Sequence, residues 1–163
     1  MEFHTKIDIE TSIRRIDELL RCGIFEPGNA RNPLVRSALT EMLILLRDLM
    51  AKAKLFGVPV EFADDVNITA RVKTVSEAIK FVRDAICHVD SDNHNHEECK
   101  ARLSYNIAYG KCNLMKIGDV EVKSEYADDI CFFFGSQKLY LKRHIIRAFE
   151  EAKDKLLPLV ARA

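Results

Sequence analysis

The spacing of apolar residues changes along this chain, and the change limits the folds that it can adopt. Before residue 90, apolar side chains recur every three or four positions, which is the repeat of an amphipathic helix. From Leu103 to Phe134 they alternate with polar ones, as in strands, and a helical repeat then returns. The pattern predicts a mainly α fold, in which four principal helices form a bundle and a small antiparallel β meander, residues 103–134, precedes the last helix.

Local signals place the ends of these helices. We expect helices from Thr5 to about Arg21, from Pro33 to Phe56, over residues 74–89, and from Gly135–Ser136 to Pro158, which ends the last one. Within the meander, Gly110–Lys111 and Gly118–Asp119 are candidates for two-residue turns.

The third helix has the strongest signals. Thr74 followed by Glu77 is a capping box, in which each side chain accepts a hydrogen bond from a free backbone N–H at the helix start. A run of apolar residues then falls on one face and is expected to be buried: Val75, Ala78, Ile79, Val82, Ala85, Ile86 and Val89.

Composition limits the class of protein. The chain has 163 residues, 48% of them hydrophobic, which suits one domain with a core, so we expect a single domain over residues 1–163. Lys plus Arg and Asp plus Glu both number 25, so any attraction to nucleic acid must come from a local patch. No apolar run is long enough to cross a membrane or to form a signal core, and the expected location is the cytoplasm. The five cysteines lack Cys-x2-Cys spacing, which argues against a disulfide framework and a zinc site.

The polar face of the third helix carries candidate catalytic residues. Asp84 and His88 have the spacing of a helical pair, so the carboxylate is expected to orient the imidazole. Arg83 carries a permanently charged, planar set of donors that suits a phosphate. On an ideal helix Arg83 and His88 lie roughly 140° apart, which favours a composite site formed by two protomers.

The segment Arg83-Asp84-Ala85-Ile86-Cys87-His88 resembles the Arg-x4-His motif, with a polar residue after the Arg, of HEPN domains (higher eukaryotes and prokaryotes nucleotide-binding). Those domains are small helical bundles, and many are metal-independent ribonucleases. The resemblance implies that Arg83 and His88 are the catalytic pair, that Asp84 supports them, and that no metal or cofactor takes part. It also implies a role as the toxin or effector of a bacterial defence or toxin–antitoxin system, with RNA as substrate and an antitoxin or defence protein as partner.

One position departs from the family pattern. HEPN toxins that are silenced by a nucleotidyltransferase often carry a Tyr two residues after the His, whereas this chain has Asp90 there. Silencing by nucleotide transfer is therefore not expected at this position.

The candidate RNA-binding surface is a basic run in the last helix, formed by Lys138, Lys142, Arg143, His144 and Arg147. Lys142, Arg143 and Arg147 would contact the RNA backbone if this helix lies beside the third one. The polar segment 90–99 contains His, Glu and Cys residues that could bind a metal, but its spacing is a weak match to known metal sites, and a solvated loop is the favoured expectation. The alternative to the enzyme is a non-catalytic helical module that binds a protein partner.

Overall fold

The computed structural model describes residues 2–99 and 101–161. About half of the structure is helical, with four α-helices and five short strands that all precede the last helix. The chain divides into two compact units, one formed by residues 2–61 and 147–161 and the other by residues 62–146. None of the helices in the described part of the chain has the length and apolar content needed for a membrane crossing.

The first unit contains three helices. They are α1 (Phe3–Arg21), α2 (Leu34–Leu55) and α4 (Arg147–Ala161), and each packs against the other two. The Asn32 side chain accepts a hydrogen bond from the Leu34 N–H at 3.0 Å, which fixes the start of α2. The core of this three-helix unit is apolar and includes Ile9, Ile16, Leu39, Met42, Leu43, Leu46, Leu49, Phe149 and Leu156. The first two predicted helices are confirmed to within two residues at each end.

The second unit combines one helix with the strands. Helix α3 (Val75–Cys87) packs on a strand of a three-stranded antiparallel sheet. The strands are β1 (Asn106–Tyr109), β2 (Cys112–Ile117), β3 (Val120–Ser124), β4 (Ile130–Phe134) and β5 (Gln137–Tyr140). The sheet has the order β1–β4–β5, while β2 and β3 form a separate hairpin.

Helix α3 begins as its sequence predicts. The Thr74 side chain accepts from the Glu77 N–H at 3.4 Å. The Glu77 carboxylate accepts from the Lys73 N–H at 2.6 Å, one residue before the position expected in a capping box. Val82 and Ile86 are buried, as expected for the apolar face.

The predicted fold is wrong in three respects. The strands do not form a sequential meander, because β1 pairs with β4 and the β2–β3 hairpin is inserted between them. Gly135–Ser136 is a hairpin turn that leads into β5 rather than a helix start, so the β region extends to Tyr140. The bundle has three helices, since α3 belongs to the unit that contains the strands.

The last helix also differs from its predicted bounds. It starts with a π-helical segment, Leu141–Ile146, and α4 continues through Pro158 to Ala161. A proline inside a helix lacks the N–H of one backbone hydrogen bond, and its ring crowds the carbonyl four residues earlier. Helix α4 nevertheless continues for three residues beyond Pro158.

The turn between β4 and β5 lies against backbone. Gly135 has φ +53°, and a Cβ at this position would lie 2.2 Å from the Asn93 carbonyl oxygen and 2.8 Å from that of Asn95. Its N–H donates to the Leu103 carbonyl at 2.8 Å. Only glycine permits this close approach of the turn to residues 93–95.

Candidate functional site

The C-terminal end of α3 carries the three predicted catalytic residues. Arg83 and Asp84 lie near the C-terminal end of the helix, with Asp84 in its last turn, and His88 is its C-cap residue. The helix is anchored by its apolar face, which leaves this polar end partly or fully exposed.

Arg83 and Asp84 form an ion pair. The Arg83 Nη1 lies 2.9 Å from Asp84 Oδ1, and the side chains are 22% and 31% exposed. The buried Arg83 Nε has no hydrogen-bond partner among the described residues. Because Nε is buried, any contact of the guanidinium with a phosphate must come from its two terminal nitrogens, one of which pairs with Asp84.

His88 lies just beyond the helix. Its N–H donates to the Asp84 carbonyl at 3.1 Å, but its own φ of −124° and ψ of 106° are extended. The angle of roughly 140° between Arg83 and His88, which assumes an ideal helix, therefore does not apply to His88. That angle no longer supports a composite site formed by two protomers. Within the described residues, the Asp84 carboxylate pairs with Arg83 and makes no hydrogen bond or ion pair with His88, so its expected role in orienting the imidazole is not seen.

The residues next to His88 are solvent-exposed. Cys87, His88 and Asp90 are exposed, and so is Val89, at 81%. The burial predicted for Val89 is wrong, because the helix ends before it and the chain turns away from the apolar face. An apolar side chain in this position adds exposed hydrophobic surface beside the imidazole.

The basic run is largely engaged with carboxylates. Arg143 donates to Asp129 Oδ2 at 2.9 Å and Asp128 Oδ1 at 3.0 Å, and its guanidinium lies 3.6 Å from the Tyr126 ring centroid. Lys142 is more open, with its ammonium 3.8 Å from Asp128. Binding an RNA phosphate at Arg143 would therefore require it to leave these partners.

The other basic residues of the run are placed differently. Lys138 lies on β5 and donates to Glu125 at 2.5 Å, and Arg147 is the first residue of α4, in the three-helix unit. His144 is fully buried, where its Nδ1 accepts from the Tyr140 N–H and its Nε2 donates to the Asp64 carbonyl. Burial lowers the pKa of His144, which favours the neutral imidazole.

Sequence reasoning did not find a cavity of about 440 Å³ in the second unit. Five carboxylates line it against two lysines: Glu97, Glu98, Asp119, Glu121 and Glu125 against Lys123 and Lys138. This excess of negative charge disfavours a phosphate backbone. Its residues come from segments far apart in the chain, so no local motif marked it, and neither Arg83 nor His88 lines it.

Hydrogen bonds between the buried Tyr140 and the exposed Glu125 adjoin this cavity. Tyr140 donates to Glu125 Oε2 at 2.8 Å, and its oxygen accepts from the Glu125 N–H at 3.1 Å. Burial would raise the pKa of Glu125, but hydrogen bonds from Lys138 and Tyr140 outweigh it and hold that pKa below its usual value. Burial raises the pKa of the neighbouring Cys131 thiol to about 12.

The loop after α3 is not simply solvated. His94 is buried, and its Nε2 bonds the His88 carbonyl at 3.1 Å. No group of three or more His, Cys, Asp and Glu side chains in the described residues is arranged to hold a metal ion.

Comparison of the chain with protein-family models, with curated proteins and with solved structures finds no match.

Proposed function

We propose that this protein is a metal-independent endoribonuclease of the HEPN type, the toxin or effector of a bacterial defence or toxin–antitoxin system, acting on RNA in the cytoplasm. The placement of Arg83 and His88 at one end of α3 supports this proposal. The Arg83 side chain is 22% exposed, and the exposed His88 ring makes no hydrogen bond within the described residues. A guanidinium can stabilise phosphate charge and an imidazole can carry a proton near neutral pH.

The reaction needs only these two functions. The ribose 2′-oxygen forms a bond to the adjacent phosphorus, and the bond from that phosphorus to the 5′-oxygen of the next nucleotide breaks. His88 takes the 2′-hydroxyl proton or supplies the proton that the leaving oxygen acquires, while Arg83 stabilises the charged phosphate. The products are a 2′,3′-cyclic phosphate and a 5′-hydroxyl.

The ion pair gives Asp84 a role different from the one its spacing predicted. By holding Nη1 of Arg83 at 2.9 Å, the carboxylate restricts the guanidinium to the helix end that also carries His88. Contact of Lys142, Arg143 and Arg147 with the RNA backbone stays a prediction.

The first test is cleavage of a single-stranded RNA of mixed sequence in the presence of a chelator. We expect the wild type to release products with a 2′,3′-cyclic phosphate. His88→Ala should reduce the rate by about 10²- to 10⁴-fold, because it removes proton transfer. Arg83→Lys should also cleave the RNA poorly, because an ammonium group does not reproduce the two parallel N–H donors with which a guanidinium contacts a phosphate.

Matched controls come from the three-helix unit, where His4 and Arg31 are both exposed. His4→Ala and Arg31→Lys should cleave as the wild type does. Cleavage that persists in both site variants, or that starts only when a divalent metal is added, would contradict the assignment.

A homodimer is also part of the proposal. Val89, 81% exposed beside His88, supplies an apolar contact of the kind that a self-complementary interface buries. Light scattering at micromolar concentration should give twice the monomer mass for the wild type and the monomer mass for Val89→Asp. A monomeric wild type would contradict the homodimer and leave each protomer to act alone.

The second candidate function is a non-catalytic module that binds a protein partner. The Arg83–Asp84 ion pair favours it, because a paired guanidinium can serve structure alone. A folded wild type that leaves RNA intact under all conditions of the cleavage test would favour this function.

A further inference from the structure

We infer that the turn Asp92–His94, in which Asn93 and His94 are buried, positions His88 for the proposed reaction, with His94 as the positioning residue. The inference rests on the proposed function, but its structural content can be tested without it.

The turn holds the main chain of His88 directly. The His88 carbonyl accepts two hydrogen bonds, one from His94 Nε2 and one from the Ser91 N–H, both at 3.1 Å. Because a carbonyl only accepts, His94 must carry its proton on Nε2. The Arg102 guanidinium also donates to the carbonyl of Val89, the residue next along the chain.

The turn is itself fixed to α3. The Asn93 Nδ2 donates to the Phe81 carbonyl at 3.0 Å, and its Oδ1 accepts from Arg71 at 2.6 Å. Ser91 caps the turn, since its Oγ accepts from the Asn93 N–H at 3.2 Å. Asn93 therefore ties the turn to the helix, while His94 ties it to the residue that follows the helix.

Burial shows that this arrangement is built into the fold. Asn93 and His94 are 6% and 2% exposed, although they belong to a short polar segment. The backbone of the turn also lies against Gly135, and the Leu103 N–H donates to the His94 carbonyl at 2.8 Å. In contrast, the ring of His88 is exposed and makes no hydrogen bond within residues 2–99 and 101–161, so its placement depends on its main chain.

The consequence is a division of roles between two histidines. His88 would transfer the proton, whereas His94 touches no substrate and acts through the His88 carbonyl. A displacement of about 1 Å in a reacting group can reduce a rate by about 10²-fold, so loss of this hydrogen bond should affect kcat more than KM.

Two amide substitutions separate this role from simple packing. The amide nitrogen of glutamine can occupy the position of Nε2 in His94, whereas that of asparagine is one carbon short. We expect His94→Asn to lower kcat by up to about 10²-fold with KM little changed, and His94→Gln to restore most of it. Both variants are first checked for folding by thermal unfolding.

Amide hydrogen exchange gives a readout that does not require activity. The Ser91 N–H, bonded to the His88 carbonyl, should exchange slowly in the wild type and in His94→Gln and faster in His94→Asn. A folded His94→Asn variant with the kcat and the exchange rates of the wild type would overturn the inference. An equal loss of kcat in His94→Asn and His94→Gln would also overturn it. If the wild type does not cleave RNA, the proposed function fails, and the exchange rates alone decide whether His94 holds the loop.

If His94→Asn does not fold, Ser91→Ala takes its place. Ser91 is only partly buried, and this change removes the cap of the turn without touching either histidine. Ser91→Ala should lower kcat, as is expected for His94→Asn. An unchanged kcat together with an unchanged exchange rate of the N–H at position 91 would overturn the inference.

Discussion

The two units differ in what they bury. In the described residues of the three-helix unit, every buried side chain is apolar except Ser12. The second unit also buries a set of polar side chains, namely Asn93, His94, Ser124, Asp129, Gln137 and His144. Apolar packing is non-directional and tolerates replacement by residues of similar volume, whereas a buried polar group needs a particular partner in a particular place. The apolar pattern therefore determines the first unit almost alone, whereas the second unit combines an apolar core with individual buried hydrogen bonds.

The largest loss of stability is expected from a substitution in the turn between β4 and β5, which lies against residues 93–95. Gly135→Ala would place a Cβ 2.2 Å from a backbone oxygen that cannot move freely, so we expect the second unit to lose its native structure. Gly118→Ala is the matched control, because Gly118 also has positive φ, at +60°, but nothing lies within 4 Å of the added Cβ. The control should cost about 1–2 kcal/mol in the free energy of unfolding. Denaturant unfolding followed by circular dichroism measures both, and equal losses would show that the close approach does not matter.

A smaller loss is expected at a buried carboxylate. Asp129 is 0% exposed and accepts from the N–H groups of Ile130, Lys142 and Arg143 and from the Arg143 guanidinium. Asp129→Ala leaves these donors without their acceptor and should lower the free energy of unfolding by about 3–5 kcal/mol. Asp128→Ala removes a 61% exposed partner of the same guanidinium and should unfold close to the wild type. Similar midpoints for the two variants in denaturant would contradict the contrast between buried and exposed polar groups.

The smallest effect is a dependence of stability on pH. Because burial lowers the pKa of His144 from 6.5, the unfolded chain binds a proton there before the folded one does. The contribution of neutral His144 to the free energy of unfolding is complete above pH 6.5. It is lost as the pH falls through the lower pKa of the folded state. In His144→Asn the side-chain oxygen can replace Nδ1 as acceptor for the Tyr140 N–H, without a proton to gain. Unfolding free energies should therefore fall less steeply below pH 6.5 in the variant, and parallel curves would show that His144 does not contribute.

The contrast between the units also explains what the sequence could predict. The apolar repeats of α1, α2 and α3 were sufficient to locate these helices, because their buried faces follow a single period. The local pattern predicts helix at β5 because Gln137 is buried together with Leu139 and Tyr140, so polar and apolar residues do not alternate there. Pairing of β1 with β4 depends on contacts between distant residues, which a local pattern does not encode.

The site shows the same limit. Spacing was sufficient to place Arg83 near the C-terminal end of α3, but it could not show that the helix ends at Cys87. Because the helix ends there, His88 is extended, and the pairing of Asp84 with Arg83 rather than His88 is a contact that spacing did not predict. The role of His94 depends on a hydrogen bond to a carbonyl, which no side-chain pattern records.

The order of the units along the chain has a consequence for synthesis. Residues 62–146 are contiguous, whereas the three-helix unit needs α4, which is translated after all of them. On the ribosome, the second unit can therefore complete its buried hydrogen bonds while α1 and α2 still await their third helix. During that interval the apolar face of α2 lacks part of its cover, and it is the segment of the nascent chain on which a chaperone would act.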